Sequence, residues 1–238
     1  MSSFGSRGIV GYISPSTIQL PMELQELLPE GLGIVASVLD VRAHTGEQFR
    51  AAREKLEGVA QTLTGEGAQA IQVDGVPVAV WDGYEAERGM WRAMQAKLGV
   101  PINSGVGAAV EGFHHLGVKR LAVATAYLPP INDRLAIYLR QAGLEVLAIE
   151  GLAVHSPAEA ARLAPAAYAG LARKLVTSHP QADGILLGGR GNLLATAIEL
   201  ERDLDRAVLT ARQAGAWWLL RTLGLPAGSG RLLASLAG

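Results

Sequence analysis

Two kinds of apolar pattern alternate along the chain. Short continuous apolar runs, typical of buried strands, are separated by longer segments whose apolar residues recur every three or four positions, as in amphipathic helices. The pattern predicts strands at residues 7–14, 33–41, 70–73, 100–104, 119–125, 145–149, 184–188 and 208–210. It predicts helices at residues 20–28, 46–63, 84–98, 106–116, 132–142, 166–178, 194–204 and about 215–223. This alternation indicates an α/β fold in which helices cover both faces of a parallel sheet.

Two of the predicted strand ends carry residues suited to chemistry. The strand at 70–73 ends at Asp74-Gly75, and Pro77 hinders further pairing because it has no N–H to donate. The strand at 184–188 opens into a glycine turn that contains Arg190. Open parallel sheets bind ligands at the carboxyl ends of their strands. One such end in each half of the chain predicts two similar lobes that face one ligand cleft.

The boundary between the lobes is predicted at residues 99–100. We expect an N-terminal lobe at 1–99, joined by a C-terminal helix at about 215–238, and a C-terminal lobe at 100–214. No low-complexity linker separates the two halves. The lobes are therefore expected to pack tightly against each other.

Composition narrows the classes of partner. Of the 238 residues, 49% are hydrophobic and 18% are charged, which is typical of a globular protein. The net charge is −1 and no basic block stands out, so nucleic acid and anionic membranes are not expected partners. No apolar run reaches the roughly 18 residues that a membrane helix needs. Without a signal-peptide core either, the sequence predicts a cytoplasmic protein.

The absence of cysteine from all 238 residues restricts the chemistry. Thiolate catalysis, thiolate metal sites and disulfides are excluded for this chain. The histidines do not form an H-x-x-x-H pair or another spacing typical of metal ligands, so no metal is expected.

Two segments carry a resemblance to a known superfamily. They are Ala124-Thr125-Ala126-Tyr127 followed by Asn132-Asp133-Arg134-Leu135, and Asp183-Gly184-Ile185-Leu186-Leu187 followed by a glycine turn. Both resemble the aspartate/glutamate racemase superfamily, and within it the arylmalonate decarboxylases and then the maleate cis-trans isomerases. The resemblance extends from residue 8 to about residue 224. It implies two pseudo-symmetric flavodoxin-like lobes, a small carboxylate substrate held between them, and no cofactor.

The sequence departs from that superfamily at its reactive positions. The resemblance implies catalytic cysteines at both strand ends in the racemases and isomerases, and a glycine at the first with a cysteine at the second in the decarboxylases. Here Gly75 stands at the first position and Gly189 at the second. Val76 and Pro77 replace hydroxyl residues that bind a carboxylate in the decarboxylases. Tyr127 and the turn at Pro15 match, although Phe49 stands where a tyrosine is expected. The fold implied by the resemblance is retained, but a cysteine mechanism cannot operate.

Asp74 and Tyr127 are the candidate catalytic residues. Partial burial of Asp74 would raise its pKa and make it a general base, whereas the alternative is a carboxylate that accepts N–H groups of its own turn. Tyr127 would donate a hydrogen bond to an oxyanion, or else pack as a half-buried aromatic residue.

The candidate binding residues surround the same strand ends. Arg190, flanked by glycines, would bind a substrate carboxylate through its guanidinium, or else extend into solvent. His155 could enter the cleft, although a lone histidine is more often structural. The full candidate set is Pro15, Ser16, Gly75, Val76, Asn103, Ser104, His155, Gly189, Arg190 and Asn192.

Three functions are compatible with these residues. The leading hypothesis is a cofactor-independent enzyme that acts on a small organic acid or its lactone. The reaction would be a hydrolysis such as ring opening, with Asp74 as the general base that activates water. The second is a decarboxylase or isomerase with a proton donor other than cysteine. The third is a protein that binds a carboxylate without turnover. The sequence leaves open whether copies form a homo-oligomer, which an exposed Trp217-Trp218 pair would favour, although that pair could equally close the cleft.

Overall fold

Two parallel four-stranded sheets form the centre of the structure. The computed structural model describes residues 4–16 and 22–226. The first sheet has the order β2-β1-β3-β4 and the second the order β6-β5-β7-β8. The strands are β1 (Ile9–Ser14), β2 (Gly33–Val38), β3 (Ala70–Val73), β4 (Ile102–Ser104), β5 (Arg120–Thr125), β6 (Glu145–Gly151), β7 (Gly184–Gly188) and β8 (Ala207–Thr210). The two sheets repeat one flavodoxin-like order, so the predicted fold of two pseudo-symmetric lobes is confirmed.

Helices follow most strands and cover the sheets. They are α1 (Met22–Leu27), α2 (Gly46–Gly65), α3 (Val76–Val80), α4 (Tyr84–Leu98), α5 (Gly105–His115), α6 (Pro129–Gln141), α7 (Pro157–Ala160), α8 (Pro165–Ser178), α9 (Leu194–Leu204) and α10 (Ala211–Leu223). Hydroxyl side chains accept N–H bonds at several helix starts, as at Thr45, Ser104, Ser156 and Thr210. Within the described ranges, no helix is both long and apolar enough to span a bilayer.

The helix α3 has no predicted counterpart, and α10 begins earlier than predicted. The helix α3 begins directly after Gly75, whose φ of 101° turns the chain, and Pro77 lies in its first turn. Proline is favoured there because the first helical N–H groups need no intrahelical partner. The helix α10 begins at Ala211 and not at residue 215, because the Thr210 side chain accepts the Gln213 N–H and caps it.

The strand β4 belongs to the first sheet. It pairs in parallel with β3, with Ile71 opposite Ile102 and Val73 opposite Ser104. The predicted lobe boundary at residues 99–100 therefore lies too early, because it assigns this strand to the second lobe. A strand of only three residues has too little hydrophobic periodicity to show which sheet it joins.

The helix α10 lies at the centre of the molecule. Every residue from Ala211 to Leu220 is buried, and the helix packs on α1, α5 and β3. A helix buried on all sides is an interior element and not a surface one. Trp217 and Trp218 are buried within it, so they form no exposed patch that would favour a homo-oligomer.

Gly215 permits this helix to approach β3. A β-carbon at Gly215 would lie 2.0 Å from the side-chain nitrogen of Gln72, which is itself fully buried. Neither atom can move easily, because protein interiors are close-packed. The close approach of α10 to β3 therefore depends on the absence of a side chain at residue 215.

We expect Gly215→Ala to lower the free energy of unfolding by about 1–3 kcal/mol through overpacking. The matched control is Gly58→Ala on α2, where an added β-carbon would meet nothing within 4 Å. That control should stabilise the protein by about 0.5–1 kcal/mol, since alanine is the better helix former. Urea unfolding of both variants measures the difference, and equal effects would contradict the packing argument.

Candidate active site

A cavity lies between the two sheets at the carboxyl ends of their strands. The cavity and its open mouth together enclose about 680 Å³ of space that no protein atom fills. Its wall includes one residue or pair after each of five strands: Pro15 after β1, Asp74-Gly75 after β3, Tyr127 after β5, Gly189-Arg190 after β7 and Ala211-Arg212 after β8. The predicted juxtaposition of Asp74 with Arg190 in one cleft is present.

Asp74 is held by three donors. Its Oδ2 accepts the Tyr12 hydroxyl at 2.6 Å and the Arg212 guanidinium at 3.2 Å. Its Oδ1 accepts the N–H of Gly75 at 2.8 Å. The side chains of Arg212 and Asp74 are only 10% and 13% exposed, so this is a buried ion pair. It joins the end of β3 to the start of α10.

The predicted rise of the Asp74 pKa is wrong. Burial alone raises the pKa of Asp74, but the Arg212 guanidinium, the Tyr12 hydroxyl and the Gly75 N–H together outweigh burial and hold it below the ordinary value. A carboxylate with a lowered pKa is a weak base. Asp74 therefore acts as the ionised centre of a hydrogen-bonded network, close to the alternative that the sequence offered.

Arg190 lies inside the cavity wall and not in solvent. It is 8% exposed, and its Nη1 donates to the Ser16 hydroxyl at 2.6 Å. Its Nε is buried without a hydrogen-bond partner among the described residues. A buried guanidinium donor without a partner is unfavourable, and an anionic ligand in the cavity would satisfy it. Ser16, predicted as a binding residue, positions this arginine.

Tyr127 presents a neutral phenol to the cavity. Burial raises the pKa of Tyr127 well above its ordinary value, so its hydroxyl stays protonated and remains a hydrogen-bond donor. The backbone N–H of Tyr127 donates to the Thr125 hydroxyl, which in turn donates to Asn132. This network fixes the start of the loop after β5 and so positions the ring.

Sequence reasoning missed two ionisable residues of the cavity wall, His44 and Arg212. His44 lines the cavity beside Tyr127, with ring centroids 5.9 Å apart, and burial lowers its pKa, which favours the neutral imidazole. No spacing in the sequence pointed to it. Arg212 had a signal: Thr210 and Gln213 form a capping-box pattern, which places residue 212 in the first turn of a helix.

Several predicted binding residues lie elsewhere. Asn103 accepts from Arg88 and donates to Glu111, and Ser104 caps α5, so both have structural roles outside the cavity wall. Asn192 is exposed and accepts the N–H of Leu194. His155 is exposed, and its carbonyl accepts the N–H of His44. Pro15, Gly75, Val76 and Gly189 do line the cavity.

The cavity wall offers hydrogen-bond donors and no cluster of metal ligands. Across residues 4–16 and 22–226, no three His, Asp or Glu side chains are placed to hold a metal ion. Among the described residues of the wall, Arg190, Arg212 and Tyr127 are donors and Asp74 is the one carboxylate. The arrangement suits an anionic ligand.

We expect Asp74→Asn to destabilise the fold by about 3 kcal/mol at neutral pH, because Arg212 would remain buried without its anion. The folded-state pKa of Asp74 is lowered, so its contribution is present above the unfolded-chain pKa of about 3.9 and is lost as pH falls through the folded value. The stability difference from the parent should therefore shrink towards pH 3. Urea unfolding at pH 7 and pH 3 measures this.

The control for this prediction is Asp40→Asn, which removes an exposed carboxylate paired with Arg42. It should change stability little at either pH, because solvent screens exposed ion pairs. A pH-independent loss in Asp74→Asn would contradict the ion-pair account.

Comparison with known proteins identifies the family. The arylmalonate decarboxylase family profile matches residues 9–233. The chain is 31% identical to the arylmalonate decarboxylase of Bordetella bronchiseptica over 217 residues, 90% of each chain. It is 32% identical to a maleate isomerase of Nocardia farcinica over 135 residues, 56% of this chain and 54% of that one.

Solved structures agree with these matches. A liganded double mutant of arylmalonate decarboxylase superposes with a TM-score of 0.89 at 29% identity, covering 94% of this chain and 97% of that one. A Nocardia farcinica maleate isomerase mutant with a covalently bound succinylcysteine intermediate shares the fold, with a TM-score of 0.88 at 23% identity and coverage of 95% and 98%. The resemblance seen in the sequence is confirmed: this chain belongs to the arylmalonate decarboxylase family of the aspartate/glutamate racemase superfamily.

Proposed function

We propose that this chain is an enzyme that decarboxylates a small malonate-type diacid without a thiol. The observation that carries the proposal is the buried guanidinium of Arg190, a residue of the cavity wall that it shares with Tyr127, whose Nε has no hydrogen-bond partner among the described residues. Family membership supports an enzyme of the decarboxylase or isomerase type. Of these two reaction types, the proposal selects decarboxylation.

The cavity has the two surfaces that such a reaction needs. Loss of CO₂ leaves an electron pair that spreads into the remaining carboxylate as an enediolate, and preorganised donors stabilise that charge. Arg190 and Tyr127 would supply them. The wall also includes apolar residues, among them Phe49, Val76 and Leu187, and a second carboxylate placed against them would lose hydration without gaining a hydrogen bond from them. Departure of that group as neutral CO₂ removes the unfavourable burial of charge.

The alternatives have less support from the site. Isomerisation through a thiol adduct would need a cysteine, and the sequence contains none. Lactone hydrolysis depended on Asp74 as a general base, and three donors hold that carboxylate in its ionised, weakly basic form. A small carboxylate is therefore the proposed ligand, and neither a lactone nor a homo-oligomer gains support.

We expect CO₂ release from phenylmalonate by the parent protein and a fall of at least about 30-fold in kcat/KM in Arg190→Met. The substrate carboxylate would lose its buried guanidinium partner, and removal of one partner of a buried charge pair costs about 2–5 kcal/mol. Arg92→Met, which removes an exposed arginine of α4, is the matched control and should retain parental activity. NMR detection of phenylacetate measures all three proteins.

A panel with maleate and simple lactones separates the reaction classes. Turnover of maleate or of a lactone without turnover of malonates would contradict the proposal. Saturable binding of phenylmalonate with no product would instead establish a non-catalytic carboxylate-binding protein.

A further inference from the structure

A second tyrosine hydroxyl lies buried next to Gly189 of the cavity wall. Tyr168, on α8, is fully buried, and its hydroxyl has no hydrogen-bond partner within normal geometry among the described residues. A buried hydroxyl without a partner is unfavourable. Phenylalanine would fill the same space without that cost, so the hydroxyl itself calls for an explanation.

Its position is next to Gly189 in the cavity wall. A β-carbon added to Gly189 would lie 2.2 Å from the Tyr168 hydroxyl oxygen, and 2.5 Å and 2.6 Å from two carbons of its ring. No side chain of residue 189 separates the hydroxyl from the cavity, because glycine has none. Tyr168 is also close enough to Tyr127, another wall residue, to raise the pKa of that phenol. The hydroxyl therefore occupies the space that a side chain at residue 189 would fill.

The equivalent position in the first lobe is different. A β-carbon at Gly75 would meet the ring of Pro15 at 2.9 Å, and Gly75 has a φ of 101°. An apolar proline ring lies against Gly75, whereas a phenol lies against Gly189. The two sides are therefore unequal in their ability to give a proton.

We propose that the Tyr168 hydroxyl donates the proton to the α-carbon of the bound acid, from the Gly189 side of the cavity. The proposal rests on the decarboxylase function proposed above and assigns the donor that this function needs in a chain without cysteine. It also predicts one product configuration, since protonation comes from one side only.

The step balances without a further reactant. The bond between the α-carbon and the leaving carboxyl group breaks, CO₂ departs, and the electron pair remains as an enediolate. The O–H bond of Tyr168 then breaks as a C–H bond forms at the α-carbon. The resulting phenolate takes a proton from water, and the hydroxide formed converts CO₂ to bicarbonate.

The surroundings of Tyr168 suit this role. Burial raises its pKa to about 12, opposed by the backbone N–H of Arg190, which favours the phenolate. The phenol therefore remains protonated across the usual assay range, and the phenolate formed after transfer has a nearby donor. An enediolate carbon is a stronger base than this phenolate, so the transfer is downhill.

The direct test is Tyr168→Phe, compared with Tyr84→Phe as a matched loss of a hydroxyl from a half-buried tyrosine of α4. With phenylmalonate as the substrate, we expect kcat of Tyr168→Phe to fall by about 10²–10⁴-fold, the usual contribution of a positioned acid. The Kd for phenylmalonate and the thermal midpoint should stay near parental values. Tyr84→Phe should retain parental kcat.

A rescue experiment adds a readout that a structural role would not move. Tyr168→Ala combined with Gly189→Cys places a thiol in the vacated space, and the backbone at Gly189 does not have a positive φ. We expect turnover to recover relative to Tyr168→Ala alone. Its rate should fall as pH rises through the thiol pKa near 8.5, whereas the parental rate should show no such fall.

The outcomes separate the two proposals. Parental decarboxylation together with a Tyr168→Phe kcat within about threefold of the parent would overturn the donor role alone. A parallel loss of binding and kcat, or no recovery in the double variant despite substrate binding, would overturn it as well. Absence of decarboxylation by the parent would overturn the proposed function and the donor assignment with it.

Discussion

The buried ion pair between Asp74 and Arg212 is the interaction on which the site depends. It connects β3 of the first sheet to the start of α10, which follows β8 of the second sheet, and Tyr12 adds a bond from β1. Separation of these charges would leave a buried ion without its partner, which is strongly unfavourable. The pair therefore holds the carboxyl ends of both sheets around one cavity, and its role is to hold the cavity's shape.

The central position of α10 follows from the same constraint. The capped N-terminus at Thr210 brings Arg212 to the cavity, and Gly215 lets the helix lie directly on Gln72 of β3. Because one face of α10 shapes the site and the other faces form the core, packing and site geometry are coupled. A change at a buried glycine remote from the ligand can therefore alter the orientation of Arg212.

With Asp74 and Arg212 paired to each other, the polar groups left to interact with a ligand are Arg190 and Tyr127 of the wall, together with Tyr168 behind Gly189. Within residues 4–16 and 22–226, Arg190 forms no ion pair with a carboxylate, whereas Arg212 is paired with Asp74. The neutral phenols of Tyr127 and Tyr168 stay protonated because burial disfavours their ionised forms. The donors of this site suit an anionic ligand, and the decarboxylation proposed above also assigns the return of a proton to one of these phenols.

The sequence by itself determined the fold class, the strand ends that form the cavity, and the placement of Asp74, Tyr127 and Arg190 along its wall. Hydrophobic periodicity and the residue types at strand ends are local properties of the chain, so the sequence alone reveals them. It could not show that Arg212 lowers the Asp74 pKa, because the two residues are 138 positions apart and meet only in the tertiary structure. For the same reason, Asn103, Ser104, Asn192 and His155 looked like site residues, although packing directs them elsewhere. Tertiary structure alone decided which charge compensates which, since pKa depends on neighbours in space.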